Sequence, residues 1–211
     1  PRIDRLAEFT DMRFLELKSL LDGGVVVQTS FLCKPRSADD LQLAEATRKG
    51  ETVKIARPPT NAELDDLLFG WFVEAGVTSN SVLYVKDRTT VAIGTGEQDR
   101  VGVARIARDK AYRNTAVRLA HQKFGKNVDD LDETQKAEVD GIVTETHGGL
   151  TGSAMVSDAF FPFPDGVKVG LDEGIKAVVQ PGGSMNDAAV IETCNEADAT
   201  MVFTGQRSFK H

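Results

Sequence analysis

Residues 157–165 read Ser-Asp-Ala-Phe-Phe-Pro-Phe-Pro-Asp, with Phe160, Phe161 and Phe163 crowded beside two carboxylates, Asp158 and Asp165. Aromatic faces give dispersion and quadrupole contacts to a stacked ring, and fixed polar groups select its orientation, so the stretch suits a flat heterocycle with polar edges. A loop anchored in the core by its phenylalanines accounts for the same composition. Two glycine-rich turns stand elsewhere. Gly94-Thr-Gly96 precedes a helical pattern and could present backbone N–H groups to an anion, although two glycines after a strand also make many ordinary tight turns. Pro181-Gly-Gly-Ser184 allows close approach of a ligand or of neighbouring backbone, with Ser184 placed to cap the next helix. His121 and His147 lie in a charged helical region and read as solvated. Glu63, Asp65 and Asp66 form the acidic first turn of a helix and not an acid/base pair.

The whole chain bounds what these groups could serve. Its 211 residues are 41 % hydrophobic, enough for one sizeable core, and a single domain over 1–211 is expected. A net charge of -7 opposes a general nucleic-acid surface, while a few local arginines would suffice for an anionic small molecule. Cys33 and Cys194 are far apart, form no CxxC pair, and are expected as reduced thiols without zinc. No apolar run approaches the roughly twenty residues of a membrane span, and no signal-peptide core is evident. The expectation is a soluble cytoplasmic protein with no membrane partner.

The elements that must position the candidate residues follow from periodicity. Ile3, Leu6, Phe9, Phe14, Leu17 and Leu21 fall at helical intervals that end at Asp22-Gly-Gly24, and Val25–Val27 reads as a buried strand. Residues 34–59 read as an irregular connection, with a short helix over 37–47. Thr60-Asn-Ala-Glu63 fits a capping box, after which Leu64, Leu67, Leu68, Trp71 and Phe72 form the apolar face of a helix reaching about Gly76. Residues 81–86 and 89–94 predict a hairpin, and Val101 to Ala107 begins a helix. Residues 108–150 form a variable helical region, with Asp130 and Asp132-Glu133 starting its second helix and Gly148-Gly149 stopping it. Helix over 167–177, strand over 178–180, helix over 188–197 and strand over 200–204 then predict a parallel βαβ crossover.

Four blocks in order are more specific than any one of them: residues 79–86 (SNSVLYVK), 94–107 (GTGEQDRV with ARIA), 157–163 (SDAFFPF), and 180–184 (QPGGS) through 201–211 (MVFTGQRSFKH). Together they closely resemble the AICAR transformylase family, from about Asp11 onward. The family transfers a formyl group from 10-formyltetrahydrofolate to the amino group of AICAR, an aminoimidazole nucleotide of purine synthesis, usually in a bifunctional protein that also contains IMP cyclohydrolase. The resemblance implies a three-layer, cytidine-deaminase-like α/β fold with a mixed sheet and no zinc site, and it covers the second of two related transformylase lobes. The family's catalytic Lys-His pair belongs to the first lobe; Lys210-His211 is not that pair. A homodimer partner or a separately encoded first lobe is therefore the expected source of the general acid/base.

Carried over residue by residue, the resemblance implies that Asn80 orients the reacting amine, its amide donating and accepting at once. Phe160 lines the nucleotide site, and Arg207 reaches the phosphate or carboxamide region with a forked guanidinium contact. Pro162, Phe163 and Asp165 fall near the folate, as do Arg100 and Val101 across a dimer interface. Ser79 and Asp158 match a monovalent-cation (K+) site of some members. Pro164 departs from the pattern, because the family commonly has Arg there, and an altered loop path is expected. The same residues have plainer readings: Asn80 satisfying a turn, Arg100 and Arg207 in surface ion pairs. Three functions stand open: a formyltransferase component of purine biosynthesis; a non-catalytic nucleotide- or folate-binding or regulatory homologue; and, ranked last, cyclohydrolase chemistry, which belongs to another domain of such proteins.

Overall fold

The computed structural model describes residues 15–29 and 33–209. At its centre is a six-stranded mixed sheet of β3 (Gln42–Leu43), β6 (Val82–Lys86), β7 (Thr89–Gly94), β8 (Ala154–Ser157), β9 (Ala177–Gln180) and β10 (Thr200–Phe203), ordered β3-β10-β9-β8-β6-β7. β8, β9 and β10 are parallel, whereas β6 runs antiparallel to both β8 and β7, and β3 antiparallel to β10. Side chains alternate across such a sheet, so the nearly continuous apolar run Val82-Leu-Tyr-Val85 feeds two cores. Leu83 and Val85 pack with Val156 and Val179 under Leu67 and Trp71 of α1 (Asn61–Glu74). Val82 and Tyr84 face the opposite layer, where α2 (Arg100–Phe124), α4 (Pro164–Leu171) and α5 (Asp187–Glu196) contribute Val103, Val167 and Ile191. The result is the three-layer α/β architecture with a mixed sheet that the resemblance implies.

Local chemistry sets the helix ends. Thr60 Oγ1 accepts from the Glu63 amide at 3.2 Å and Glu63 Oε2 accepts from the Thr60 amide at 2.7 Å, closing the expected capping box of α1. Asp99 caps α2 by accepting from Gly102 N at 2.7 Å, and Gly125 ends that helix at a φ of 64°. Asp132 starts α3 (Glu133–Glu145), whose Val139 and Val143 are buried, so the charged 108–150 region is ordered helix. The hairpin of β6 and β7 and the parallel β9-α5-β10 crossover are present as expected.

Several expectations are corrected. The helical spacing over 3–21 lies partly outside the described residues, but Leu15–Ser19 is a strand, β1, paired with β2 (Val25–Thr29) around the Asp22-Gly-Gly24 turn. Leu-Glu-Leu-Lys-Ser also alternates with period two, and cross-strand pairing selects that period over the helical one. Val25–Val27 is a strand but is exposed. The helix foreseen over 37–47 is one 3-10 turn, Ala38–Asp40, closed by Asp40 accepting from the amides of Arg36 and Ser37. Beyond it come β3 and a second hairpin of β4 (Glu45–Arg48) and β5 (Glu51–Lys54), so residues 34–59 are not an irregular connection. Phe72 is exposed on α1 instead of joining its apolar face. The helix foreseen over 167–177 ends at Leu171, having begun at Pro164, where the missing N–H of proline costs nothing at a first helical position. Pro164 thus opens a helix.

Candidate functional site

The topology gathers loops at one sheet edge. β8, β9 and β10 are parallel, so their carboxyl ends coincide, and antiparallel β6 brings its amino end to the same edge. There a cavity of about 340 Å³ is lined by Asn80, Gln98, Asp99, Arg100, Ala159, Phe160, Pro162, Arg207 and Phe209. Asn80, Phe160 and Arg207, far apart along the chain, line one space.

Each side chain is held by its neighbours. The Ser79–Asn80 peptide bond is cis, and Asn80 Nδ2 donates to Gln98 O at 2.9 Å while its Oδ1 accepts from Arg100 Nη2 at 3.4 Å. Gln98 and Asp99 stand at the mouth because Asp99 caps α2 beside them. Arg100 is 8 % exposed, with Nη1 donating to Ser81 O at 3.0 Å, to Ser157 Oγ at 3.2 Å and to Asp158 Oδ1. Asp158 is fully buried and its second oxygen accepts from Ser79 Oγ. A buried ion pair needs this many partners, because desolvation of both charges offsets much of their attraction. Arg100 is therefore no surface ion pair, and the carboxylate foreseen for a cation is shared by a guanidinium and a hydroxyl.

The aromatic trio divides. Phe161 is fully buried, its amide donating to Gln180 Oε1 at 2.9 Å. Phe160 turns into the cavity, where the guanidinium carbon of Arg207 lies 4.7 Å from its ring centroid and 5.7 Å from that of Phe209. Phe163 is 59 % exposed at the start of α4. Pro162 lines the cavity, with its carbonyl accepting from Asn186 Nδ2 at 2.7 Å. Val101, Phe163 and Asp165 do not line it; Asp165 lies in the first turn of α4 and accepts from the Gly166 amide. Ser208 N donates to Asp158 O at 2.9 Å, fastening the strand of residues that carries Arg207.

Neither glycine-rich turn presents an anion cradle. Thr95 Oγ1 and Gly96 N both donate to Thr78 O, and the Asp99 carboxylate already sits at the start of α2, where it would repel an anion. In the 181–184 turn Asp187 Oδ2 accepts from the amides of Gly183 and Ser184, and Ser184 Oγ accepts from Asn186 N. Asn186, not Ser184, occupies the capping position of α5. A cavity of about 370 Å³ near the other end of β6 is lined by Lys86, Thr90, Asn114 and Arg118 among others, but it has no aromatic face and Lys86 Nζ is bound to Thr151 O. Among the described residues, no group of three or more His, Cys, Asp or Glu side chains is placed to hold a metal, and no helix is long and apolar enough to cross a membrane. Cys33 and Cys194 are free thiols.

Gln98, Asp99, Phe209 and Glu74 were not singled out from the sequence. For Glu74 a signal existed: it follows Leu67 and Trp71 at i+7 and i+3, which puts a carboxylate on the buried stripe of α1.

The model of the family described as "AICARFT/IMPCHase bienzyme" matches residues 4–110. The chain belongs to that AICARFT/IMPCHase family. It is similar to proteins named "Bifunctional purine biosynthesis protein PurH": 42 % identical over 155 residues to that of Dinoroseobacter shibae, covering 74 % of this chain and 25 % of the relative. The relative from Magnetococcus marinus is 37 % identical over 210 residues, covering 100 % of the chain and 32 % of that protein. That from Chlorobium phaeobacteroides is 40 % identical over 166 residues, 79 % of the chain and 26 % of the relative. The chain thus spans a quarter to a third of the length of these AICARFT/IMPCHase relatives. Asn80 and Arg100 lie inside the segment matched by the family model, and folding sets Phe160 and Arg207 opposite them.

Proposed function

We propose that the chain supplies half of a nucleotide pocket used in formyl transfer from 10-formyltetrahydrofolate to AICAR in purine biosynthesis, with the proton-transferring groups supplied by a partner polypeptide. The observation that carries this reading is the convergence of Asn80, Phe160 and Arg207 on one cavity. Phe160 offers a stacking face, Arg207 a cation that no carboxylate pairs with among the described residues, and Asn80 an amide fixed by Gln98 and Arg100 beside both. An aromatic base, an anionic phosphate and a carboxamide or amine would meet these three groups in turn. Pro162 extends the cavity on the side where folate would enter, while Phe163, Asp165 and Val101 would join the site only through a second protein surface. A K+ ion at Ser79 and Asp158 would have to share Asp158 with Arg100.

Nucleophile and formyl carbon must be held together while a group moves protons as the tetrahedral species forms and collapses. Among the cavity residues the only carboxylate is Asp99, and its Oδ1 caps α2. That observation favours a second reading, a nucleotide- or folate-binding module without turnover of its own. One experiment separates the two: the purified chain is titrated calorimetrically with AICAR and folates, then assayed with both substrates, alone and with a polypeptide carrying the remainder of a PurH relative. Binding with turnover only in the mixture supports the component reading, binding without turnover supports the module, and no binding rejects both.

A further inference from the structure

Beneath the cavity lies a carboxyl that the reading above does not use. Glu74, in the last turn of α1, is fully buried; Ser81 Oγ donates to its Oε1, and its Oε2 has no hydrogen-bond partner. Desolvation, reinforced by the negative charge of Asp158, pushes its pKa up to about 8, against the lowering effects of the Ser81 hydrogen bond and the Arg100 charge. Glu74 is therefore predominantly the neutral acid at pH 7.

Ser81 ties this acid to the cavity wall. Its carbonyl accepts from Arg100 Nη1 at 3.0 Å and from Asp158 N at 3.4 Å, and Arg100 Nη2 reaches Asn80 Oδ1. We infer that Glu74 is a positioning residue: as a neutral acid it fixes Ser81 and, through Ser81, the Arg100 guanidinium beside Asn80, whereas its ionised form competes with Asp158 for that guanidinium. The effect on ligand rests on the proposed nucleotide pocket; the effect on Arg100 does not.

The charges acting on Glu74 come from two places, Asp158 after β8 and Arg100 at the start of α2. β6 contributes Ser81, and β9, Ala-Val-Val-Gln, has no ionisable side chain. Of the other acids on or beside α1, Glu63 is engaged with Arg57, Asp66 with the amides of Asp87 and Arg88, and Asp40 with those of Arg36 and Ser37, while Asp65 is exposed to solvent.

The sign of the pH effect follows. A folded-state pKa raised above the ordinary 4.5 gives stability that is complete below pH 4.5 and lost as pH rises through about 8. Relative to Glu74→Gln, the wild-type folding constant should fall about tenfold per pH unit across that window and no further above it.

The positioning role is read by carbon-13 NMR of the arginine Cζ atoms in the full 211-residue chain, with Arg100 assigned by its loss in Arg100→Lys. In wild type the Arg100 signal should shift with a midpoint near pH 8; in Glu74→Gln it should stay fixed; in Ser81→Ala the midpoint should rise, because a donor to the ionised form is lost. A wild-type signal that does not move, or one that moves equally in Glu74→Gln, overturns the inference. AICAR affinity should also weaken about fivefold or more from pH 7 to 9 in wild type but not in Glu74→Gln. Absence of AICAR binding at every pH would reject the nucleotide pocket while leaving the Arg100 measurement decisive for Glu74.

Discussion

The guanidinium carbon of Arg207 stands 4.7 Å from the ring centroid of Phe160, although one residue follows β10 and the other β8. Parallel strands on either side of β9 deliver both loops to the same edge, where Asn80 arrives from antiparallel β6. A cation over an aromatic face leaves its remaining donors available to an anion, which is the arrangement that the proposed nucleotide pocket requires of this pair.

Arg207→Ala should weaken a phosphate-bearing nucleotide by about 1.5–3 kcal/mol, the contribution of a charged hydrogen bond, with little change in stability because Arg207 is exposed. Calorimetric titration with AICAR checks this; an unchanged affinity removes Arg207 from the pocket.

Phe160 and Phe161 should behave as opposites under truncation. Phe161→Ala empties a fully buried position and should cost about 3–5 kcal/mol in urea unfolding. Phe160→Ala, at the cavity wall, should lose ligand affinity at a markedly smaller stability cost. Equal destabilisation by both would make Phe160 a core residue and nothing more.

Asp158→Ala should destabilise the fold by about 3–5 kcal/mol, since it strands the Arg100 charge in the interior. The contrast is the exposed i,i+4 pair Lys168–Asp172, where Asp172→Ala should cost no more than about 0.5 kcal/mol. Denaturant midpoints of the two variants decide, and similar values would argue against a buried Arg100–Asp158 pair.

Gly70→Ala sets two effects against each other. Alanine gains about 1 kcal/mol in helix propensity, but its Cβ would come within 2.5 Å of Val156 Cγ2 and 3.0 Å of Val85 Cγ2 in the packed core. Overpacking of this kind costs about 1–3 kcal/mol, so net destabilisation is expected, and thermal unfolding measures it. A rise in Tm would mean that α1 can lift from the sheet without penalty.

Sequence by itself determined those elements whose signals are local: the Thr60 capping box, the hairpin around Asp87-Arg88, the ordered 108–150 helices, and the alternating strands and helices after residue 166. It also determined the kinship, because four spaced blocks survive in one order. Pairing with Val25–Thr29 alone decided whether Leu15–Ser19 would obey a period of two or of 3.6, since both patterns are present in its sequence and the strand ladder satisfies only the first. Tertiary structure alone divided Phe160, Phe161 and Phe163 among pocket, core and surface, and it alone placed Glu74 and Ser81 beneath Arg100. Which loop side chain is buried and which partner a buried charge meets are set by chain segments remote from the residue concerned; helical spacing put Glu74 on a buried stripe but could not name Ser81 or Arg100 above it.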